Sequence, residues 1–177
     1  MSLTPRGMSI QEAYRLYRDD CFIVNRKYQR KLVWTVAEKE YLIDSILNGF
    51  PIPLILLAQV DSKKFEIIDG LQRLNSMFSF IENNFAFNGK YFDINQNARA
   101  KQLVAENVFV AETNPDNLLD AKLCANILDY QLAVTSYTAK NEEVITDIFG
   151  RINYMGNNYA FIDSQNVNLA IRSQGWR

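Results

Sequence analysis

The stretch from Leu54 to Ile81 leaves this chain few choices. LILLAQV (54–60) is a continuous apolar run of strand length, which predicts a strand buried on both faces. Asp61-Ser62-Lys63-Lys64 reads as a turn and FEII (65–68) as a second strand, its hairpin partner. Asp69-Gly70-Leu71-Gln72-Arg73 follows at once, and then a helix with Leu71, Leu74, Met77, Phe78 and Ile81 on one stripe. A buried hairpin that hands over to a buried helix across a single glycine needs a sheet with a helix packed on it, so an α/β (α+β) domain is expected.

The flanking segments agree. SIQEAYRLYRD (9–19) predicts a short helix with Tyr14 and Leu16 inward, and CFIV (21–24) a short strand. Thr35-Val36-Ala37-Glu38 fits a capping box that starts a helix with Leu42, Ile43, Ile46 and Leu47 on one face. Gly49, Pro51 and Pro53 stop it. Asn88-Gly89 is a hairpin signal. Helical spacing recurs over 96–107, 116–128 and 141–153, with a strand over 129–138. MSLTPRG (1–7) reads as a vector-derived scar or disordered leader, with Met8 as the candidate native start. The domain is expected over 8–155, with an irregular tail and one short helix over 156–177.

Composition narrows the chemistry. The chain of 177 residues has a net charge of -1, so nucleic-acid contact would need a local basic patch. No run of 18 apolar residues exists, so no membrane partner is expected, and the default location is cytoplasmic. Cys21 and Cys124 form no metal pattern and are expected to be buried hydrophobes rather than a disulfide. Histidine is absent, which excludes His general acid–base chemistry, Ser-His-Asp and Cys-His nucleophiles and His-ligated metals. Carboxylates, Lys, Arg, Tyr, amides or a carboxylate-bound Mg²⁺ remain. P-loop and dinucleotide-binding glycine motifs are also absent.

Three constellations stand out. At the strand-to-helix joint, free N–H groups and the helix dipole suit a phosphate. Gly70 permits close approach, Arg73 forks onto anionic oxygens, Gln72 donates and accepts, and Asp69 caps the helix, holds Mg²⁺ or orients water. A purely structural account, with Asp69 as N-cap and Arg73 in an ordinary ion pair, serves as well on these grounds. NRKYQRKLVW (25–34) interleaves cations with Tyr28 and Trp34, a pattern that grips phosphates while a ring stacks on a base. A solvated loop with Trp34 as a core anchor fits it equally. IFGRIN (148–153) carries Arg151 and Asn153 near a helix end, where a cation complements the dipole in any case.

Taken together, YQRKLVW, SILNGFPIPLILL, IIDGLQRL and IFGRIN, in this order over residues 20 to 155, resemble the domain of unknown function 262. That family forms the N-terminal part of GmrSD-type modification-dependent restriction enzymes and is related to the ParB/sulfiredoxin fold. The resemblance implies a small mixed sheet with flanking helices and a helical extension. The family signature at the joint is Asp-Gly-Gln-Gln-Arg, matched by Asp69, Gly70, Gln72 and Arg73, with Leu71 in place of the first Gln. Tyr28, Gln29, Arg30 and Trp34 match the first segment, and Arg151 and Asn153 the third.

The function this implies is a nucleotide-binding module, of a family in which some members hydrolyse NTPs, in a phage-defence or restriction system, with Mg²⁺ as cofactor and Asp69 as its ligand. Asp69 and Arg73 are then the catalytic candidates, and Tyr28, Gln29, Arg30, Trp34, Gly70, Gln72, Arg151 and Asn153 bind the nucleotide. Leu71 removes an amide that positions water or phosphate, so binding is expected ahead of turnover. Relatives often carry a C-terminal His-Asn-His nuclease; without histidine this chain has none, and it is expected to be a shortened form or a stand-alone sensor that works with a nuclease domain or subunit. The alternative is a ParB-like DNA-binding module without catalysis.

Overall fold

The computed structural model describes residues 3–25, 34–138 and 150. The chain divides into two compact units, Met1–Thr138 and Ala139–Arg177, and the elements described below belong to the first.

Its frame is a mixed five-stranded sheet in the order β1-β5-β3-β4-β2. Strands β3 (Ile55–Asp61) and β4 (Lys64–Asp69) form the expected antiparallel hairpin, and the first four residues of β3 are buried. β5 (Gln131–Thr138) lies parallel to β3, and β2 (Phe22–Ile23) parallel to β4. The outer strand β1 (Leu3–Ser9) runs antiparallel to β5. This corrects the reading that residues 1–7 carry no structure: residues 3–7 pair with Tyr137 to Ala133. Pro5 has no N–H to give, and an edge position tolerates it.

Alternate strand residues, Ile55, Leu57, Ile67, Leu132 and Val134, share one core cluster with the helices, so the helices cover that face. Each fully buried Leu or Ile there contributes about 1.5–3 kcal/mol. Helix α1 (Ile10–Arg18) contributes Tyr14, fully buried, and is capped by Ser9, whose side chain accepts from the Glu12 N–H. α2 (Val36–Leu47) has the complete capping box: the Glu38 N–H donates to Thr35 Oγ1 at 3.3 Å, and the Thr35 N–H to Glu38 Oε2 at 2.7 Å. α3 (Leu71–Ile81) follows β4 directly and buries Leu74, Met77, Phe78 and Ile81 as its stripe predicts.

The later helices are shorter than their spacing suggests. α4 (Ala98–Ala105) starts only after Asn97, which caps it, behind a single 3-10 turn at Ile94–Gln96. The predicted 116–128 helix splits into a 3-10 turn at Pro115–Asn117 and α5 (Ala121–Asp129), because Leu118 is extended and Asp120 caps a new start through the Lys122 N–H. Asn88 and Gly89 both adopt positive φ between Phe87 and Lys90, which pair as the hairpin signal requires. Cys124 is buried and Cys21 half-buried; both are free thiols, and burial pushes the Cys124 thiol up to about 11. The predicted 141–153 helix and the 156–177 tail lie outside the described residues, apart from residue 150.

Candidate functional site

The joint between β4 and α3 is built around Gly70. This residue takes φ 100° and ψ 7°, a left-handed conformation that glycine alone adopts without strain. Space forbids a side chain as well: a Cβ would stand 2.4 Å from Ile55 Cδ1. Gly70 occupies the N-cap position of α3, and no side chain caps this helix. Among the described residues, α1, α2, α4 and α5 each have one, from Ser9, Thr35, Asn97 and Asp120. The start of α3 therefore has no N-cap side chain and presents the positive end of the helix dipole.

Asp69 does not cap the helix, which corrects one of its expected roles. It is the last residue of β4, opposite Leu56, and the turn at Gly70 carries its carboxylate onto Arg73 instead. Arg73 Nη2 donates to Asp69 Oδ2 at 2.8 Å and to the Leu54 carbonyl at 3.1 Å. The guanidinium side chain is 15% exposed and the carboxylate 48%, so the acid sits on the solvent side of the base. Arg73 Nε is buried with no hydrogen-bond partner. Leaving such a donor unmet costs about 1–3 kcal/mol.

Gln72 is half-buried in the first turn, and its carbonyl accepts from Ser76 Oγ at 2.7 Å. Leu71 is partly buried and packs against the core, so an apolar residue is at home there. Trp34 is likewise half-buried against the core, immediately before the α2 cap. The structure thus brings Asp69, Gly70 and Arg73 into one contact set. Tyr28, Gln29, Arg30, Arg151 and Asn153 lie outside the described residues. The Leu54 carbonyl escaped sequence reasoning, because a backbone acceptor carries no residue signature.

No group of three or more His, Cys, Asp or Glu side chains able to hold a metal exists among the described residues. Asp69 is one carboxylate with one oxygen already engaged, and Mg²⁺ ordinarily takes one or two carboxylates together with waters and substrate phosphates. Among the described residues Asp69 is therefore not part of a preformed metal cage.

Most of the chain, residues 10–168, matches the family described as GmrSD restriction endonuclease, N-terminal domain. The chain belongs to that family. It is accordingly a module of a modification-dependent restriction system. No curated protein and no solved structure matches it. No helix among the described residues is long and apolar enough to cross a membrane.

Two surface cavities of this GmrSD-type domain lie elsewhere. One of about 400 Å³ is bordered by Arg15 and Arg99, which both already face Asp19 at 3.6 Å. Another of about 390 Å³ is bordered largely by apolar residues such as Phe109 and Val110. Neither adjoins an α-helix start without a side-chain cap, as the Gly70 joint does, although Arg99 Nε at the first is likewise buried without a partner.

A second polar cluster ties α1 to α3. Arg18 Nη2 pairs with Glu82 Oε1, the guanidinium lies 5.0 Å from the Tyr17 ring centre, and Tyr17 stacks on Phe78 at 4.7 Å. Burial pushes the Glu82 carboxyl up, partly offset by Arg18. Burial also pushes the Tyr14 hydroxyl well above its usual range. Pair, stack and cation–π contact are what an interhelix joint needs, and they leave little for a ligand to touch.

Proposed function

We propose that the Gly70 joint is the phosphate-binding corner of a nucleotide pocket, and that this GmrSD-type domain binds a nucleoside triphosphate. The observation that carries the reading is a left-handed glycine start of α3 with no side-chain cap beside Arg73, a guanidinium clamped by Asp69 and the Leu54 carbonyl. A phosphate suits this corner, since a helix start and a guanidinium favour the same anion.

In this reading Arg30 joins Arg73 on the phosphates, Tyr28 or Trp34 stacks on the base, and Gln29 and Gln72 add polar contacts. Any Mg²⁺ enters on the nucleotide's own phosphates. Hydrolysis would rest on positioning and charge stabilisation rather than a covalent intermediate. Leu71, turned into the core, supplies no polar group for water, so binding without fast turnover is the expected behaviour.

Calorimetry with ATP, GTP, CTP and UTP in the presence of Mg²⁺ tests the reading. At least one triphosphate binds if it is right; none binds if it is wrong. The family's role in restriction favours DNA as a further partner. A duplex gel shift that weakens steeply with salt, with no response to any triphosphate, would favour the DNA-binding alternative.

A further inference from the structure

We infer that Asp69 is a positioning residue for Arg73 and not a metal ligand. The inference rests on the nucleotide reading above and assigns one residue's part within it. Arg73 Nη2 carries two hydrogens, and both are committed, one to Asp69 Oδ2 and one to the Leu54 carbonyl. The two acceptors come from different strands: Asp69 ends β4, and Leu54 immediately precedes β3. Two fixed points hold a planar group in one orientation, and Nη1 takes part in neither bond. The guanidinium is thus aimed before a ligand arrives, which reduces the ordering cost of binding.

The same geometry argues against the metal. Asp69 has one oxygen in a charge-assisted bond to a cation, and a divalent ion on the other oxygen would sit close to that guanidinium. Like charges at such range repel, and among the described residues Asp69 belongs to no group of three or more side chains able to hold a metal. The carboxylate also stands beside the path of an incoming phosphate, which is tolerable only while Arg73 neutralises it. Asp69 therefore acts on the nucleotide through Arg73 alone.

Two measurements on the whole protein test this. In the first, triphosphate affinity is measured across a Mg²⁺ titration for wild type, Asp69→Asn, Arg73→Ala and the double variant. Asp69→Asn is expected to weaken binding about fivefold to tenfold, with the Mg²⁺ midpoint unchanged. In the Arg73→Ala background Asp69→Asn adds less than about twofold, because the effects share one contact. A Mg²⁺ midpoint that moves with Asp69→Asn, or effects that multiply, would overturn the inference.

The second measurement needs no ligand: NMR of the Arg73 guanidinium. Slow rotation with resolved Nη signals is expected in wild type, and faster exchange in Asp69→Asn. Averaged signals already present in wild type overturn the clamp, whatever binds. If wild type binds no triphosphate, the proposed function fails, and so does Asp69's part in it; a resolved Nη spectrum then marks the clamp as structural only.

Discussion

Replacing Gly70 with alanine puts the geometry of the joint under direct load. Two costs add. A φ of 100° lies beyond the left-handed region that alanine tolerates, at about 1–3 kcal/mol. The new Cβ also meets Ile55 Cδ1 at 2.4 Å, over 1 Å inside the roughly 3.5–4.0 Å optimum for two carbons. Ile55 is 1% exposed and has no open space to retreat into, so overpacking costs about 1–3 kcal/mol more. The sum, about 2–6 kcal/mol, is a large share of the roughly 5–15 kcal/mol that holds a domain folded. Urea unfolding followed by circular dichroism measures it as a lower midpoint at constant slope. The double variant Gly70→Ala/Ile55→Val separates the two costs. Ile55→Val alone costs about 0.5–1.5 kcal/mol, yet it removes the clashing methyl, so the double variant is more stable than the sum of the singles predicts. A Gly70→Ala loss below about 0.5 kcal/mol, typical of neutral surface changes, would refute both the turn and the contact.

Other perturbations have equally definite outcomes. Thr35→Ala removes the α2 cap and should cost about 1 kcal/mol by thermal or urea unfolding, and an unchanged midpoint contradicts the capping box. The Thr35 backbone N–H, with the Thr35 hydroxyl, holds the Glu38 carboxyl below its ordinary 4.5. Its contribution is thus full above pH 4.5 and lost as the pH falls through the lowered value, a loss that Glu38→Gln should not show. Glu82 has the opposite sign: burial raises its carboxyl above 4.5, so its contribution is full below pH 4.5 and lost as the pH rises through the raised value. The stability of wild type relative to Glu82→Gln should accordingly fall between acid and neutral pH, and a rise would contradict the assignment. Arg18→Ala strands a mostly buried carboxylate, side chain 11% exposed, and should cost about 2–4 kcal/mol, whereas Arg18→Met with Glu82→Leu should recover most of that.

What could be read from the sequence follows interaction range. The α2 cap, the Pro51/Pro53 stop, the β3–β4 hairpin and the α3 stripe are encoded within a few residues, and all form as written. The glycine joint was visible for the same reason. β1 was not: LTPRGMS has no alternation and contains Pro5, and its strand geometry comes from pairing with β5 more than 120 residues away. Arg18 and Glu82 are 64 positions apart, and neither neighbourhood hints at the other. At the joint, local reasoning offered Asp69 as a helix cap, but the left-handed turn at Gly70 made Gly70 the cap position and gave the carboxylate to Arg73. Helix spacing over 116–128 failed at Leu118 and Asp120, where an extended residue followed by a capping side chain outweighed apolar periodicity. The family resemblance, carried by segments far apart in the chain, holds over residues 10–168.

The central claim is that Arg73 and the start of α3 receive a triphosphate. Titration calorimetry of wild type against Arg73→Ala, each with Mg²⁺ and the tightest-binding triphosphate, tests it most directly. Losing a charge-assisted contact worth about 1.5–3 kcal/mol should weaken binding by roughly 10- to 150-fold while the variant stays folded. Equal affinity in the two proteins, or no heat with any triphosphate, would contradict the account.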